Sequence, residues 1–159
     1  MEVRLHDPHA GRTSADVLRL VLDAVNHRDA EALDELLDPD VELYPILASL
    51  EGGYRGQAGA RGWLRSLELD WEVYETRLEQ VYDLGGSALG LGGWDARGRT
   101  SGVELHTQAG AWHARVRDGR VVWWRTYTER AEALRSLAPS EPRPDRPRVQ
   151  GRAFELMPL

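Results

Sequence analysis

The apolar residues of this chain change their period once. Apart from one short strand they recur at helical spacing as far as Leu67, and from Trp71 onward they alternate. A chain patterned this way begins as helices and ends as a sheet, so its helices must cover one face of that sheet. Val17, Leu18, Val21, Leu22 and Val25 form one helical stripe behind a Thr13 or Ser14 cap. A second short helix covers 30–37, with Leu33, Leu36 and Leu37 on one face. Asp38-Pro39 stops it, because the ring of a proline pushes the preceding residue out of the helical region. Residues 41–44 alternate as a short strand that Pro45 ends, and the glycines at 52, 53, 56 and 59 make 48–59 a loop. A third helix follows, burying Ala60, Trp63, Leu64 and Leu67.

In the second half, Tyr74, Thr76, Leu78, Gln80 and Tyr82 share one strand face, and Gly85-Gly86 turns the chain. A glycine-diluted strand covers 87–99 and a long strand 103–117. Asp118-Gly119 makes a hairpin turn, a last strand covers 120–128, and a short closing helix covers 129–137. The order predicts an α+β domain in which a curved antiparallel sheet wraps around the N-terminal helices and leaves a cone-shaped cavity. Residues 1–12 show no period and read as a loose arm. Five of the eight prolines fall in the last 21 residues, so 138–159 reads as an extended tail. The domain proper is 13–137. The tail's end, Ala153 to Met157, either docks on a neighbouring subunit or stays unstructured.

Composition then removes chemistry. Among 159 residues there is no cysteine, which excludes disulfides, thiolate catalysis and cysteine metal sites. All 20 basic residues are arginine, which excludes a lysine Schiff base and a P-loop lysine. A net charge of −6, with arginines scattered among carboxylates, argues against nucleic acid as a partner. No apolar stretch approaches the roughly 20 residues of a membrane span, so no membrane partner and a cytoplasmic location are expected. No cofactor is expected either. For metals, Glu104 and His106 are too few ligands, and His6 and His9 lie in the unpatterned arm.

What remains is the face of the long strand. Arg115 and Arg117 should be wet, which turns Trp112, Ala114 and Val116 inward. Carried back without a bulge, the same face presents Gln108, His106 and Glu104 to the cavity. A bulge near Gly110 would invert that phase. An imidazole beside a carboxylate is what acid/base chemistry needs, because it titrates near neutrality and the carboxylate fixes its tautomer. The alternative is that both sit in water at the sheet's rim. Trp63, Trp94, Trp112, Tyr127 and one of the pair Trp123/Trp124 are expected to line the cavity, the other of the pair being free for a dimer surface. Arg125 is either an outward charge or an anion clamp at the mouth. Neither a nucleophile elbow nor a dinucleotide fingerprint occurs.

Several segments resemble SnoaL-like proteins of the nuclear transport factor 2-like superfamily. They are Asp38 to Pro45, Glu51 to Gly56 and Gly59 to Leu64, then Asp83-Leu84-Gly85, Arg97 to Glu104, Arg117 to Val122 and Arg130 to Leu134. The resemblance covers about 14–137. It implies a pocketed domain that forms a homodimer through its sheet, on a fold that hosts isomerases, cyclases, dehydratases, epoxide hydrolases and non-catalytic binders. Similar steroid isomerases place an aspartate base where this chain has Tyr44, and a second acid near Gln108, so that chemistry is not implied. SnoaL-type cyclases use an acidic residue, for which Asp40 or Glu104 would serve. Asp40 alternatively satisfies backbone amides after Pro39. The expected function is cofactor-free acid/base chemistry (cyclisation, isomerisation or hydration) on a hydrophobic small molecule. His106 would be the acid/base, Glu104 its partner, and Tyr44 and Gln108 hydrogen-bond donors. The alternative is a non-catalytic hydrophobic-ligand binder or a dimeric scaffold.

Overall fold

Thr13 starts the first helix by a reciprocal cap. Its hydroxyl accepts from the Asp16 amide at 3.1 Å and its own amide donates to the Asp16 carboxylate at 3.1 Å. The computed structural model describes residues 11–46 and 52–137. Apart from Gly11 and Arg12, the expected arm lies outside the described residues, as does the whole tail. The elements are α1 (Ser14–Asn26), α2 (Ala30–Leu36), β1 (Leu37–Tyr44), β2 (Tyr54–Arg55) and α3 (Gly56–Asp70). There follow β3 (Trp71–Asp83), β4 (Ser87–Gly98), β5 (Glu104–Arg117), β6 (Arg120–Tyr127) and α4 (Arg130–Leu137).

The strands make one curved, unclosed sheet in the order β2-β1-β6-β5-β4-β3. Every pair is antiparallel except β1 with β6, which runs parallel. The α1 stripe packs onto the inner face of this sheet, where Val17, Leu18, Val21, Leu22 and Val25 are buried. Each such side chain contributes about 2 kcal/mol of burial before the entropy of ordering it is subtracted. Both ends of α1 are tied to the sheet. Ser14 Oγ donates to the Gly85 carbonyl at 2.6 Å and the Ala15 amide to Asp83 at 3.2 Å. At the other end Arg28, in the left-handed region at φ 53°, donates from its guanidinium to the Tyr74 carbonyl at 2.9 Å. Asp118 and Gly119 both have positive φ, as the hairpin between β5 and β6 requires.

The structure departs from the sequence pattern at four places. β1 begins at Leu37, with Asp38-Pro39 inside it. Proline has no amide to give the ladder, and the register with β6 accordingly shifts between Leu37 and Glu42. Helix α3 begins at Gly56 rather than after Gly59. Its first turn is anchored by Gln57, which donates to the Asp34 and Leu37 carbonyls at 3.0 and 3.2 Å. A bulge between Leu78 and Gln80 moves Tyr82 off the face shared with Leu78 and turns Val81 toward the core. The fourth departure, in β5, decides the site.

Candidate functional site

Between β4 and β5 the pairing runs Gly92 with Gly110 and then Trp94 with Thr107, so β5 holds one extra residue at 108–109. On the Trp112 side of this bulge the expected phase holds. Trp112 faces inward and His113 outward. Beyond it the phase inverts. Gly110 permits the arrangement, because a Cβ there would collide with the Trp94 ring, which fills the space over it.

The inversion corrects the expected acid/base group. The His106 side chain is 79% exposed, and its Nδ1 faces the Asp95 carboxylate on the outer face. That of Glu104 is 70% exposed and pairs with Arg97 at 3.2 Å. Gln108 is exposed as well, and its carbonyl accepts from Arg130 at 2.9 Å. None of the three points into the hollow. Leu105 and Thr107 take the half-buried positions instead.

Two aromatic assignments are corrected for a different reason. Leu43 is the inward residue at the end of β1, so its neighbour Tyr44 lies on the outer face, with its ring 6.2 Å from Trp123. Tyr127 pairs with Ala111 on that same outer face and is buried beneath α4. Trp123 is the outward member of its pair and Trp124 the inward one. The outward one of the pair, expected to be free for a dimer surface, is therefore Trp123. Arg125 is outward too, between the Tyr44 and Tyr127 rings at 5.8 and 5.6 Å. Asp40 is exposed, and it is the Asp38 carboxylate that accepts from the Asp40 amide, at 2.9 Å.

Three expected residues do lie inside. Trp94 and Trp112 pack at 5.8 Å between ring centroids and fill much of the hollow. Trp63 on α3 and Trp112 wall what stays open. That opening is a narrow cleft, whose atom-free space reaches about 420 Å³ only with the solvent at its mouth counted. The room left for a water-sized sphere is about 20 Å³, enough for a water or two, so a guest must part the Trp63 and Trp112 walls to enter. α1, α2 and β1 line it with aliphatic side chains, and Tyr74, Thr76, Trp124 and Thr126 supply its polar groups.

These polar groups are neutral and mostly paired. Thr76 donates from its amide and its hydroxyl to Asn26 Oδ1, both at 2.9 Å, and accepts from Asn26 Nδ2 at its carbonyl. Trp124 Nε1 donates to Thr126 at 3.2 Å. Burial pushes the Tyr74 phenol above its ordinary value, with Arg28 opposing, so it remains a hydroxyl at any working pH. Pro45, Trp63 and Tyr74 also wall an adjoining outer pocket, completed by Ser66, Asp70, Trp71 and Leu105. Sequence reasoning placed Tyr74 and Thr76 on one strand face without reading them as a site, and it missed Asp70 and Trp71. The signal available was the Leu-Asp-Trp boundary, where a helix stripe meets a strand.

The one buried imidazole among the described residues is on the other side of the sheet. His113 is 5% exposed, with its ring 5.3 Å from Trp123 and Nε2 without a partner among the described residues. Burial, and then the Arg115 charge, hold it below its usual value. Among the described residues no group of three or more His, Asp or Glu is placed to hold a metal ion, and no helix is long and apolar enough to cross a membrane.

A curved sheet with helices on its inner face is an α+β architecture of the nuclear transport factor 2-like kind. A family model described as the SnoaL-like domain matches residues 17–124, and the chain belongs to that family. Solved structures agree on the fold. An NTF2-like protein from Burkholderia thailandensis E264 superposes with a TM-score of 0.65 at 22% identity, covering 80% of this chain and 99% of that one. An NTF2-like protein of unknown function from Burkholderia pseudomallei K96243 gives 0.62 at 17% identity, covering 77% and 95%. A candidate SnoaL-like polyketide cyclase from Shewanella denitrificans OS-217 gives 0.59 at 14% identity, covering 76% and 95%. No sequence among curated proteins matches the chain significantly.

Proposed function

We propose that this SnoaL-like chain binds a small hydrophobic molecule in the cleft walled by Trp63, Trp112 and Trp124, and holds it by shape and neutral polar groups. The observation that carries the reading is the lining itself. It is aliphatic and aromatic, and no Asp, Glu, His or Arg is among the inner cleft's described residues. Proton transfer by His106 and Glu104 has lost its geometric support, because both side chains stand in solvent on the outer face. Binding needs none of that chemistry. An apolar guest gains by leaving water, and Tyr74 and the threonines orient a single polar group.

Intrinsic fluorescence reads occupancy directly, since three tryptophans line the cleft. Titration with small aromatic alcohols, from benzyl alcohol to naphthylmethanol, should give a saturable change. Trp63→Leu should weaken it by about tenfold through lost wall area, and Trp123→Phe on the outer face should leave the affinity unchanged. Absence of saturation throughout the series, or a loss caused by Trp123→Phe and not by Trp63→Leu, would refute the proposal.

A further inference from the structure

We infer that the guest is an organic cation, a protonated or quaternary amine whose head sits in the outer pocket among Asp70, Trp63, Trp71 and Tyr74 while its apolar body enters the cleft. The inference rests on the binding reading above and adds the charge of the ligand.

The first support is the charge of the walls. The chain carries 20 arginines, yet none lines the cleft or the outer pocket among the described residues, and Asp70 is the only charged side chain there. Asp70 is an exposed residue at the rim of this pocket, and its carboxylate makes no hydrogen bond or ion pair with any described residue. The nearby cation is engaged elsewhere. Arg99 donates from its amide to the Asp70 carbonyl at 2.8 Å, and from its guanidinium to the Glu68 and Trp71 carbonyls at 3.0 and 3.2 Å. An arginine within reach of the Asp70 main chain thus leaves the carboxylate open.

The second support is a broken local rule. Asp70 is the last residue of α3, Glu68 precedes it in the same turn, and no basic residue stands in that turn. The C-terminal end of a helix already carries a partial negative charge, so an acid there costs stability on its own account. Such a violation points to function, and both the dipole and the carboxylate attract a cation to the pocket.

The third support is the rest of the wall. Aromatic faces attract cations through the ring quadrupole, and Trp63 and Trp71 supply two rings. The Tyr74 ring, edge-on to Trp71 at 6.0 Å, already carries the Arg28 guanidinium 5.7 Å from its centroid. Ser66 donates its hydroxyl hydrogen to the Trp63 carbonyl at 2.6 Å, which leaves its lone pairs to accept from an ammonium N–H. An anionic head would meet Asp70 with no donor cation to offset it.

Benzylamine, benzyl alcohol and benzoate share one body and differ in the charge of the head. Followed by tryptophan fluorescence near neutral pH, benzylamine should bind about tenfold tighter than benzyl alcohol, as a partly screened ion pair and cation–π contacts allow, with benzoate weakest. Asp70→Asn, which keeps shape and removes charge, should bring benzylamine to within about twofold of the alcohol. Equal affinity for amine and alcohol, or an amine preference that survives Asp70→Asn, overturns the inference and leaves the hydrophobic-guest reading standing. A failure of all three probes to saturate overturns both.

Discussion

On the inner face of the sheet a methyl group added at Gly90 would strike Leu78 and Leu18 and rest against Trp112, whereas on the outer face the same strand sends Asp95 and Arg97 into ion pairs. One face is interlocked and neutral, with glycines opposite indoles. The other, outside the patch that α4 covers over Tyr127 and Ala111, is solvated and charged, with Arg77 and His106 on Asp95, Glu104 on Arg97, and Arg130 on Glu79. The difference separates two tasks that a reading of residue types alone merges. Apart from the buried His113, the titratable groups of β4 and β5 clothe a wet surface, where such pairs contribute little each. Recognition is left to the dry side, where a removed side chain leaves a void and a guest can replace one.

The largest test of that contrast is a pair of tryptophan truncations. Trp112→Ala should cost about 4 kcal/mol in urea denaturation, because a fully buried indole leaves a cavity that the glycine-rich strand cannot close. Trp123→Ala on the outer face should cost less than half as much. Equal losses would mean that the outer face is a second core, and the contrast would fail. A smaller effect concerns pH. His113 is held below the ordinary 6.5, so the unfolded chain takes up a proton that the folded chain refuses. Stability should therefore fall as pH drops through about 6.5 toward the folded value, and His113→Gln should flatten that fall. Urea midpoints at about pH 7.5 and about pH 5.5 check it, and slopes identical in the two proteins would remove His113 from the account.

How much of this was legible in the sequence depended on how local the cause was. The start of α1, the α1 stripe and the Asp118-Gly119 hairpin each depend on residues within a few positions of one another, and each stands where the pattern put it, with Thr13 the cap of the two that the pattern allowed. The α+β class with a curved sheet around helices followed from their order, and the SnoaL-like family from the segments that resemble it. The site did not, because it turns on one inserted residue. Counting back from Arg115 is correct as far as Gly110 and inverts beyond it; Gly110 left a bulge open as an alternative, but nothing in Gln108-Ala109 decided for it. Its cause is the Trp94 ring over Gly110, a contact between strands that no single-strand period contains. The same limit moved Tyr82, through the extra residue at Glu79. Tyr44 was misplaced because Leu43, not Tyr44, carries the inward phase of a strand whose ladder with β6 is broken around Pro39. Asp70 escaped notice because it closes a helix in sequence and lines a pocket only once β3 folds back over α3.

The central claim is that recognition belongs to the neutral inner cleft and not to the histidine and carboxylate on β5. The double variant His106→Ala/Glu104→Gln, titrated with benzyl alcohol by tryptophan fluorescence, tests it most directly. Both side chains are well exposed, so the variant should fold with a stability within about 0.5 kcal/mol of the parent for each substitution. It should also bind with unchanged affinity. A folded double variant that no longer binds would contradict the account and return the site to the face of β5 that the bulge turns outward.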